Sequence, residues 1–311
     1  MEIHETSLIN KEATIGENVK IGAYSIIGPD VVIKDNCIIE NNVNIAGKTE
    51  ISENVFIGSY CNIGSDGYFM SSDKVITKLD SNVTIHGNNH LGNNVTVKGN
   101  TEIKRNNFIG AYTTLGFPAQ DRGNSEKPVF LKIGENNDFR EYVSINCGSH
   151  GGSGTTVIGD NNMLMCYAHV GHDCTIANNC TIANSTTLAG HVDIGSFVVT
   201  GGFAGIHQFC KVGDFSMIGG MSGVVQDVPP YLLVTGARAK VYGINTIGLT
   251  RNGFSKDDMS VVNNIFQIFF KDMIPTKIAI EKMKSEISDG PVLKRFITFV
   301  ERSNRGILKM I

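Results

Sequence analysis

Tryptophan is absent from this chain of 311 residues, aromatic residues make up only 8% of it, and charged residues only 18%. The formal net charge is −3, which gives no basis for binding nucleic acid through bulk electrostatics. Apolar runs as long as a membrane span are also missing, and the start of the sequence has neither the basic residues nor the apolar core of a signal peptide. We therefore expect a cytoplasmic protein with no integral membrane segment and no nucleic-acid partner.

Paired cysteines are missing as well. Seven cysteines are spread between Cys37 and Cys210, and no two of them are arranged as C-x-x-C. This scatter favours free thiols over a zinc site or a disulfide framework. Glycine, in contrast, is abundant at 35 residues, and together with few charges and few aromatics it is typical of a turn-rich β protein.

What the sequence does contain is a repeat of six residues. Ten isoleucines follow one another at this spacing from Ile9 to Ile63, and the period resumes at Ile85, at Ile133 and at Ile158 before it ends at Val224. Because six is an even number, the repeated side chains all point to one face of an extended segment. Three such segments make a triangular coil of eighteen residues with the aliphatic side chains in its centre, which predicts an all-β hexapeptide solenoid.

Glycine often follows the repeated aliphatic residue, as in Ile21-Gly22 and Ile57-Gly58, and we expect it to supply the turn after each short strand. Residues 64–84, 116–132 and 146–157 break the period and are predicted to leave the prism as loops. The pattern stops near Asp227. Helices are then predicted from the capping box formed by Ser255 and Asp258, from Thr276, and over 291–302. We divide the chain into a β-helix over 1–240 and a small helical domain over 241–311.

Four histidines lie in a part of the chain where the period is nearly unbroken: His169, His172, His191 and His207. Val170, Leu188 and Ile206 are eighteen residues apart, so they are predicted to stack on successive coils and to bring these imidazoles to one edge of the prism. Imidazole titrates near neutrality and can remove a proton from a hydroxyl that attacks a thioester. Asp173 is a candidate to fix the tautomer of His172, although neighbours on a strand point to opposite faces.

A metal site is the other interpretation of clustered histidines. Neither a carboxylate nor a cysteine shares a ligand-like spacing with them in the sequence, although Cys174 and Cys210 are the nearest sulfurs. We therefore predict no metal.

The strings around these histidines are similar to those of a known family. They are Ala168-His169-Val170-Gly171-His172-Asp173-Cys174, Leu188-Ala189-Gly190-His191, Ile206-His207-Gln208-Phe209-Cys210 and the segment 222–231. In this order they resemble the UDP-N-acetylglucosamine acyltransferases that begin lipid A synthesis. The resemblance implies a left-handed parallel β-helix with a small C-terminal α-helical domain, and a homotrimer with sites between subunits. It also implies transfer of a 3-hydroxyacyl group from acyl carrier protein to the 3-hydroxyl of the UDP-sugar. The acyl thioester is a co-substrate, so no cofactor is expected.

The resemblance also assigns roles to residues. His172 would be the catalytic base and the backbone N–H of Gly190 would hold the oxyanion. The substrate-binding residues would be Gln120, Asp121, His169, His191, His207, Gln208, Asn245 and Arg251. Within that set, Asn245 and Arg251 would contact the nucleotide, and Gln120 and Asp121 would hold the sugar of a neighbouring subunit's site. Gly220 would leave room in the acyl-chain groove, or it is merely a turn glycine.

Three departures from the family keep alternatives open. Asn146 stands where the family commonly has histidine, Ile247 and Asn252 replace polar and basic residues, and the string at 64–68 resembles a loop of the sister N-acyltransferase. An N-acyltransferase or N-acetyltransferase that acts on an amino sugar nucleotide is therefore one alternative, and a noncatalytic binding solenoid is another. Basic residues at the end of the prism would attract the acidic acyl carrier protein. They are Lys211, Arg238, Lys240 and Arg251.

Overall fold

The computed structural model describes residues 1–65, 67–70, 76–79, 81–120 and 128–310. In these residues the chain winds into a triangular prism whose three faces are parallel sheets, and the predicted left-handed parallel β-helix with C-terminal helices is confirmed. Face A consists of Glu2–Ile3, Lys20–Ile21, Ile38–Ile39, Phe56–Ile57, His90–Leu91, Phe108–Ile109, Asp138–Phe139, Met163–Leu164, Thr181–Ile182, Val199–Thr200, Met217–Ile218, Leu232–Thr235 and the antiparallel Lys240–Ile244.

Face B consists of Leu8–Ile9, Ile26–Ile27, Asn44–Ile45, Asn62–Ile63, Thr96–Val97, Thr114–Phe117, Ser144–Asn146, His169–Val170, Thr187–Leu188, Gly205–Ile206 and Gly223–Val224. Face C consists of Thr14–Ile15, Val31–Ile33, Lys48–Ile51, Asn82–Ile85, Asn100–Ile103, Phe130–Ile133, Thr155–Ile158, Thr175–Ile176, Asp193–Ile194 and Lys211–Val212. The edges between these faces are called the A–B, B–C and C–A corners.

The register of the sheets confirms that residues eighteen apart are vertical neighbours. Val170 pairs with Leu188, and Leu188 pairs with Ile206. Their side chains are at most 2% exposed, as are those of the other repeated aliphatic residues from Ile21 onward. The prism is therefore filled by the repeat that the sequence displays, and this burial is its main source of stability. All seven cysteines are free, as predicted, and six of them are buried.

The turn chemistry differs from the prediction. Gly22 and Gly58 do not have a positive φ, and the left-handed residue lies two positions later, at Tyr24 and Tyr60. At Gly22 and Gly58 the role of glycine is instead the close approach of the next coil. A Cβ on Gly22 would lie 2.5 Å from Asn41 Oδ1 and 2.9 Å from a backbone carbon of the next coil.

All three interruptions of the period leave the prism at the B–C corner, because each connects a strand of face B to one of face C. The first contains an antiparallel hairpin of Gly67–Met70 and Ile76–Leu79 rather than a simple loop. The third contains turns at 150–153. The second includes residues 121–127, which lie outside the described part of the chain. The B–C corner is thus the edge of the prism from which the long loops extend.

The C-terminal helices are α1, Thr246–Arg251; α2, Lys256–Phe266; a π-helix, Gln267–Lys271; α3, Thr276–Glu286; and α4, Pro291–Glu301. The capping box of Ser255 and Asp258 and the helix starts at Thr276 and Pro291 agree with the sequence prediction. The helix α1, whose N-cap is Asn245, was not predicted from the sequence. The domain boundary between 240 and 241 stays a prediction. Within the described residues, none of the helices has the length and apolarity needed to cross a membrane.

Candidate active site

His172 and Asp173 lie in the turn at the B–C corner between the strands His169–Val170 and Thr175–Ile176. Asp173 has a φ of +59°, so the rule that strand neighbours point to opposite faces does not hold for this pair. The imidazole Nδ1 of His172 lies 2.8 Å from Asp173 Oδ2. The side chain of His172 is 17% exposed and that of Asp173 only 1%.

The Asp173 carboxylate is the centre of a hydrogen-bond network. Its Oδ2 accepts from the Ser149 backbone N–H at 2.9 Å, and its Oδ1 accepts from Ser153 Oγ at 3.0 Å and from the Gly154 N–H at 2.8 Å. Burial raises the pKa of Asp173, but the hydrogen bonds from Ser149, His172 and Ser153 outweigh it and hold the pKa below its ordinary value of 3.8. Asp173 is therefore ionised at neutral pH and can only accept, so His172 Nδ1 is the donor and Nε2 is left to act as a base.

Gly190 lies one coil below His172, against its imidazole. A Cβ built on Gly190 would lie 2.5 Å from His172 Nε2. At the equivalent turn position of the C–A corner, the N–H of Ser196 donates to Asp214 Oδ1 at 2.9 Å. Among the described residues no acceptor is found for the N–H of Gly190. A free N–H beside the basic nitrogen is the arrangement that an oxyanion requires.

His191 follows Gly190 and contacts both members of the pair. Its ring meets that of His172 edge to face at 5.0 Å, and its Nε2 lies 3.8 Å from Asp173 Oδ2. Phe209, one coil lower, stacks on His191 with ring centroids 4.4 Å apart. His191 is thus fixed on both sides at the mouth of the site.

His169, His207 and Gln208 lie around this pair on face B and at its edge. His169 Nδ1 shares a hydrogen bond of 2.7 Å with Ser144 Oγ, and burial lowers the pKa of His169, which favours its neutral form. His207 and Gln208 are exposed, and His207 Nδ1 lies 3.2 Å from the Gln208 carbonyl. The register places the four histidines on three successive rungs beside one corner, as the sequence analysis expected.

The remaining predicted site residues are distant in sequence. Gln120 is exposed beyond the strand Thr114–Phe117, and Asp121 lies outside the described residues. Asn245 uses its side chain within the chain: Oδ1 accepts from the Gly248 N–H at 3.1 Å and Nδ2 donates to the Phe215 carbonyl at 2.9 Å. Arg251 is exposed in the last turn of α1. Their roles in binding a nucleotide or sugar stay predictions.

Gly220 lies at a different edge, the A–B corner, in the turn between Met217–Ile218 and Gly223–Val224. It is exposed, and a Cβ there would meet only the backbone of Gly202, at 3.3 Å. The position is open enough to accept a side chain. Face B separates it from His172, so an acyl chain that joins the two positions would cross that face.

Asn146, which stands where the family commonly has histidine, ends the strand Ser144–Asn146 of face B. Its Nδ2 donates to the Pro118 carbonyl at 2.9 Å, while its buried Oδ1 has no partner among the described residues. The amide is therefore anchored to the chain on one side only.

Asp173 was predicted to orient His172 but not to share a ligand-like spacing with the histidines. Ligand atoms of His172, Asp173 and His191 all lie within 4.8 Å of one another, a spacing that could hold a metal ion. The spacing expectation was wrong because the left-handed turn brings Asp173 to the ring of its own neighbour. The carboxylate already accepts four hydrogen bonds, which a metal ion would have to compete with.

A cavity of about 500 Å³ adjoins Asp173 and His191. One side of it is formed by C-terminal residues that were not predicted from the sequence. Its lining residues are Ser153, Asp173, His191, Asp193, Phe209, Lys211, Asn304 and Arg305. The C-terminal segment reaches it because buried Asp227 binds Ser303 Oγ at 2.6 Å and the N–H of Arg305 at 3.3 Å. No local pattern in the sequence shows this contact.

Cysteine nucleophiles are not available near the site. Burial raises the pKa of Cys174 to about 12 and that of Cys210 to about 11. Both thiols therefore stay protonated at neutral pH. The geometry favours general-base chemistry by His172 over an acyl-enzyme on sulfur.

Comparisons with known proteins point to the same chemistry. Residues 227–308 match the family described as UDP N-acetylglucosamine O-acyltransferase, domain 2, and residues 12–47 and 155–190 match the bacterial transferase hexapeptide family. A relative from Thermodesulfovibrio yellowstonii, named acyl-[acyl-carrier-protein]--UDP-N-acetylglucosamine O-acyltransferase, is 42% identical over 99% of both chains. A relative of the same name from Syntrophobacter fumaroxidans is 33% identical over 99% of this chain and all of its own.

Solved structures of similar proteins match this chain over nearly its whole length. The UDP-N-acetylglucosamine acyltransferase of Francisella novicida is 30% identical with a TM-score of 0.76, and the alignment covers 99% of this chain and 94% of that one. The Arabidopsis enzyme of the same name gives the same identity and TM-score and is covered completely.

Proposed function

This chain belongs to the UDP-N-acetylglucosamine O-acyltransferase family, and we propose that it transfers a 3-hydroxyacyl group from acyl carrier protein to the 3-hydroxyl of UDP-N-acetylglucosamine, the first step of lipid A biosynthesis. The resemblance predicted from the sequence strings is confirmed by the relatives. The observation that carries the proposal is the His172–Asp173 pair with Gly190 against the imidazole. It places a base next to an N–H that can donate a hydrogen bond to the oxyanion, and acyl transfer to a hydroxyl needs both.

The proposed reaction has two steps. His172 Nε2 removes the proton of the sugar 3-hydroxyl while that oxygen attacks the thioester carbonyl carbon, and the Gly190 N–H stabilises the oxyanion. The tetrahedral intermediate then collapses, the carbon–sulfur bond breaks, and the leaving thiolate takes the proton back from His172. The ionised Asp173 stabilises the imidazolium that exists between the steps. The thioester is a co-substrate, and the proposed reaction uses no cofactor.

Further parts of the proposal concern assembly and partners. We propose a cytoplasmic homotrimer whose sites lie between subunits, since the site occupies one corner of a prism and a neighbouring copy would enclose it. The donor protein is acidic, and the proposed docking residues are Lys211, Arg238, Lys240 and Arg251. Lys211 Nζ already donates to the Arg302 carbonyl at 3.0 Å, so Arg238, Lys240 and Arg251 carry most of this proposal.

The test is a product assay with purified protein. UDP-N-acetylglucosamine and 3-hydroxyacyl thioesters of acyl carrier protein should give an ester whose mass equals that of the sugar nucleotide plus that of the free 3-hydroxy fatty acid minus that of water. The 3-amino analogue of the sugar nucleotide and coenzyme A thioesters are the comparison substrates. A faster reaction with the amine would support the N-acyltransferase instead. Absence of product from every pair of substrates would support a noncatalytic solenoid.

A further inference from the structure

Three side chains of the active site bring possible metal ligands together. Asp173 Oδ2 lies 2.8 Å from His172 Nδ1 and 3.8 Å from His191 Nε2. One ligand atom from each of the three residues lies within 4.8 Å of the others. Two imidazoles and a carboxylate form a donor set that suits Zn²⁺. The proposed proton transfer uses only His172 and Asp173, so it does not account for the third donor.

The spacing of these donors is close to that around a tetrahedral ion. Zinc–donor bonds of roughly 2.0 to 2.2 Å place neighbouring ligand atoms about 3.3 Å apart in a tetrahedron. The two distances from Asp173 Oδ2 lie on either side of this value, so ring shifts of about 0.5 Å would complete the geometry. His191 is held near this position because its ring stacks on Phe209.

The hydrogen bonds of Asp173 would support a bound ion rather than prevent binding. The ion replaces one of them, the bond from His172 to Oδ2. The N–H groups of Ser149 and Gly154 and the hydroxyl of Ser153 can continue to donate, because an ionised carboxylate has about four acceptor sites. Carboxylates that bind metal ions are commonly oriented by such hydrogen bonds.

The loop over the donors carries glycine where a side chain would disturb them. A Cβ on Gly152 would collide with Asp173 Oδ2 and would lie 2.5 Å from His191 Cε1. A side chain at this position would therefore push the carboxylate and the ring away. At the neighbouring Gly151, a Cβ would meet nothing within 4 Å. These two glycines provide a matched pair of test positions.

The cavity of about 500 Å³ beside the site provides room for a further ligand. Asp173 and His191 both line it, so an ion held by them would face the cavity. Zn²⁺ with three protein ligands commonly binds water in the fourth position. Lys211 and Arg305 line the same cavity, and their positive charge would favour an anionic fourth ligand such as hydroxide or chloride.

We propose that His172, Asp173 and His191 form a binding site for Zn²⁺ and that the bound ion inhibits acyl transfer. The inhibition rests on the proposed function, whereas the binding does not. The ion bonds to Nδ1 of His172 in place of the proton there, and the single proton of the neutral imidazole moves to Nε2. Because Nε2 then carries a proton, it cannot remove one from the sugar hydroxyl.

Binding is tested on the purified full-length chain without substrates, by competition for Zn²⁺ with a chromophoric chelator. His191→Asn should raise Kd at least ~100-fold, since loss of even a second-shell partner costs about 10- to 100-fold. Asparagine tolerates the left-handed backbone at this position, where φ is +60°. Gly152→Ala should raise Kd at least ~10-fold, the low end of that range. Gly151→Ala and His207→Asn are the controls and should bind as the wild type does.

A second measurement needs no variant. Co²⁺ added to the wild type should give the visible absorption of a four-coordinate ion bound by nitrogen and oxygen, and Zn²⁺ should abolish it. Failure of the wild type to bind either ion would overturn the proposal. Equal Zn²⁺ affinity of the wild type and a folded His191→Asn variant would also overturn it.

Inhibition is measured separately on the wild type. At a free Zn²⁺ concentration ten times Kd, acyl transfer should fall on the order of 10-fold by mass action and recover when a chelator is added. Mg²⁺ at the same concentration should have no effect, because it prefers oxygen ligands. Full activity at saturating Zn²⁺ would refute the inhibition. A wild type that binds Zn²⁺ but forms no product with any substrate would refute the acyl transfer and support the metal site.

Discussion

His172 Nδ1 lies 2.8 Å from the carboxylate of Asp173, the residue that follows it in the chain. The contact exists because Asp173 takes the left-handed conformation, with a φ of +59°. The carboxylate is held in turn by backbone N–H groups of the loop at 149–154. The loop that interrupts the repeat at 146–157 therefore helps to hold His172 in place. Its N–H groups bind the Asp173 carboxylate, and that carboxylate binds the imidazole.

Replacing His172 by alanine should lower kcat at least ~100-fold, the low end for removal of a general base. The side chain lies in a corner turn outside the aliphatic core, so the unfolding temperature should fall only slightly, because Asp173 loses one of its four hydrogen bonds. Product mass spectrometry and calorimetry measure the two effects. A variant that melts early would indicate a structural role for His172, and a variant of full activity would remove it from the mechanism.

Asp173→Asn should destabilise the fold in a way that depends on pH. The pKa of Asp173 is lowered in the folded chain, so its ionised form contributes stability above its ordinary value of 3.8, and this contribution is lost as the pH falls through the lower folded value. We expect a difference in unfolding free energy of about 2 kcal/mol at pH 7, from hydrogen bonds to a buried charge, that shrinks below pH 4. Denaturant unfolding from pH 7 to pH 3 measures it. A difference that stays constant over this range would mean that the ionised carboxylate of Asp173 is not the source of the stability.

Much of the fold could be predicted from the sequence because the six-residue repeat is visible in the sequence itself. Ile9 to Ile63 fix the period, and the period fixes which residues are vertical neighbours, so the stacking of Val170, Leu188 and Ile206 followed without a structure. The handedness did not follow from the period, and it came from the resemblance alone.

Other features depend on contacts that no local pattern encodes. The pairing of Asp173 with His172 depends on one backbone dihedral angle, and the strand rule argued against it. Arg305 reaches the cavity because Asp227, buried near the end of the prism, holds the C-terminal segment. The helix α1 was missed since its cap, Asn245, was interpreted as a nucleotide ligand rather than as the start of a helix. Sequence reasoning was thus accurate for stacking and weak for turns and long-range contacts.

Gly190→Ala should reduce activity through steric contact with the base. The new Cβ would lie 2.5 Å from His172 Nε2, closer than a carbon can approach, so the imidazole must move. We expect a loss of at least ~100-fold in kcat, in the range seen when one oxyanion donor is lost. Gly243→Ala is the control, because a Cβ there meets nothing within 4 Å. Equal activity of the two variants would mean that the space beside His172 is not needed for catalysis.

Gly220→Met should shorten the acyl chain that the enzyme prefers. The position is exposed and a Cβ meets only backbone atoms of Gly202, the nearest at 3.3 Å, so a long side chain can be accommodated without disturbing the core. It would occupy space that the end of a long acyl chain needs. Donors of graded length should show kcat/KM falling at least ~10-fold for the longest chains, the loss expected from one or more methylene contacts, while short donors are unaffected. If the profile of kcat/KM against chain length were the same as in the wild type, Gly220 would be a turn glycine and the groove would have to end elsewhere.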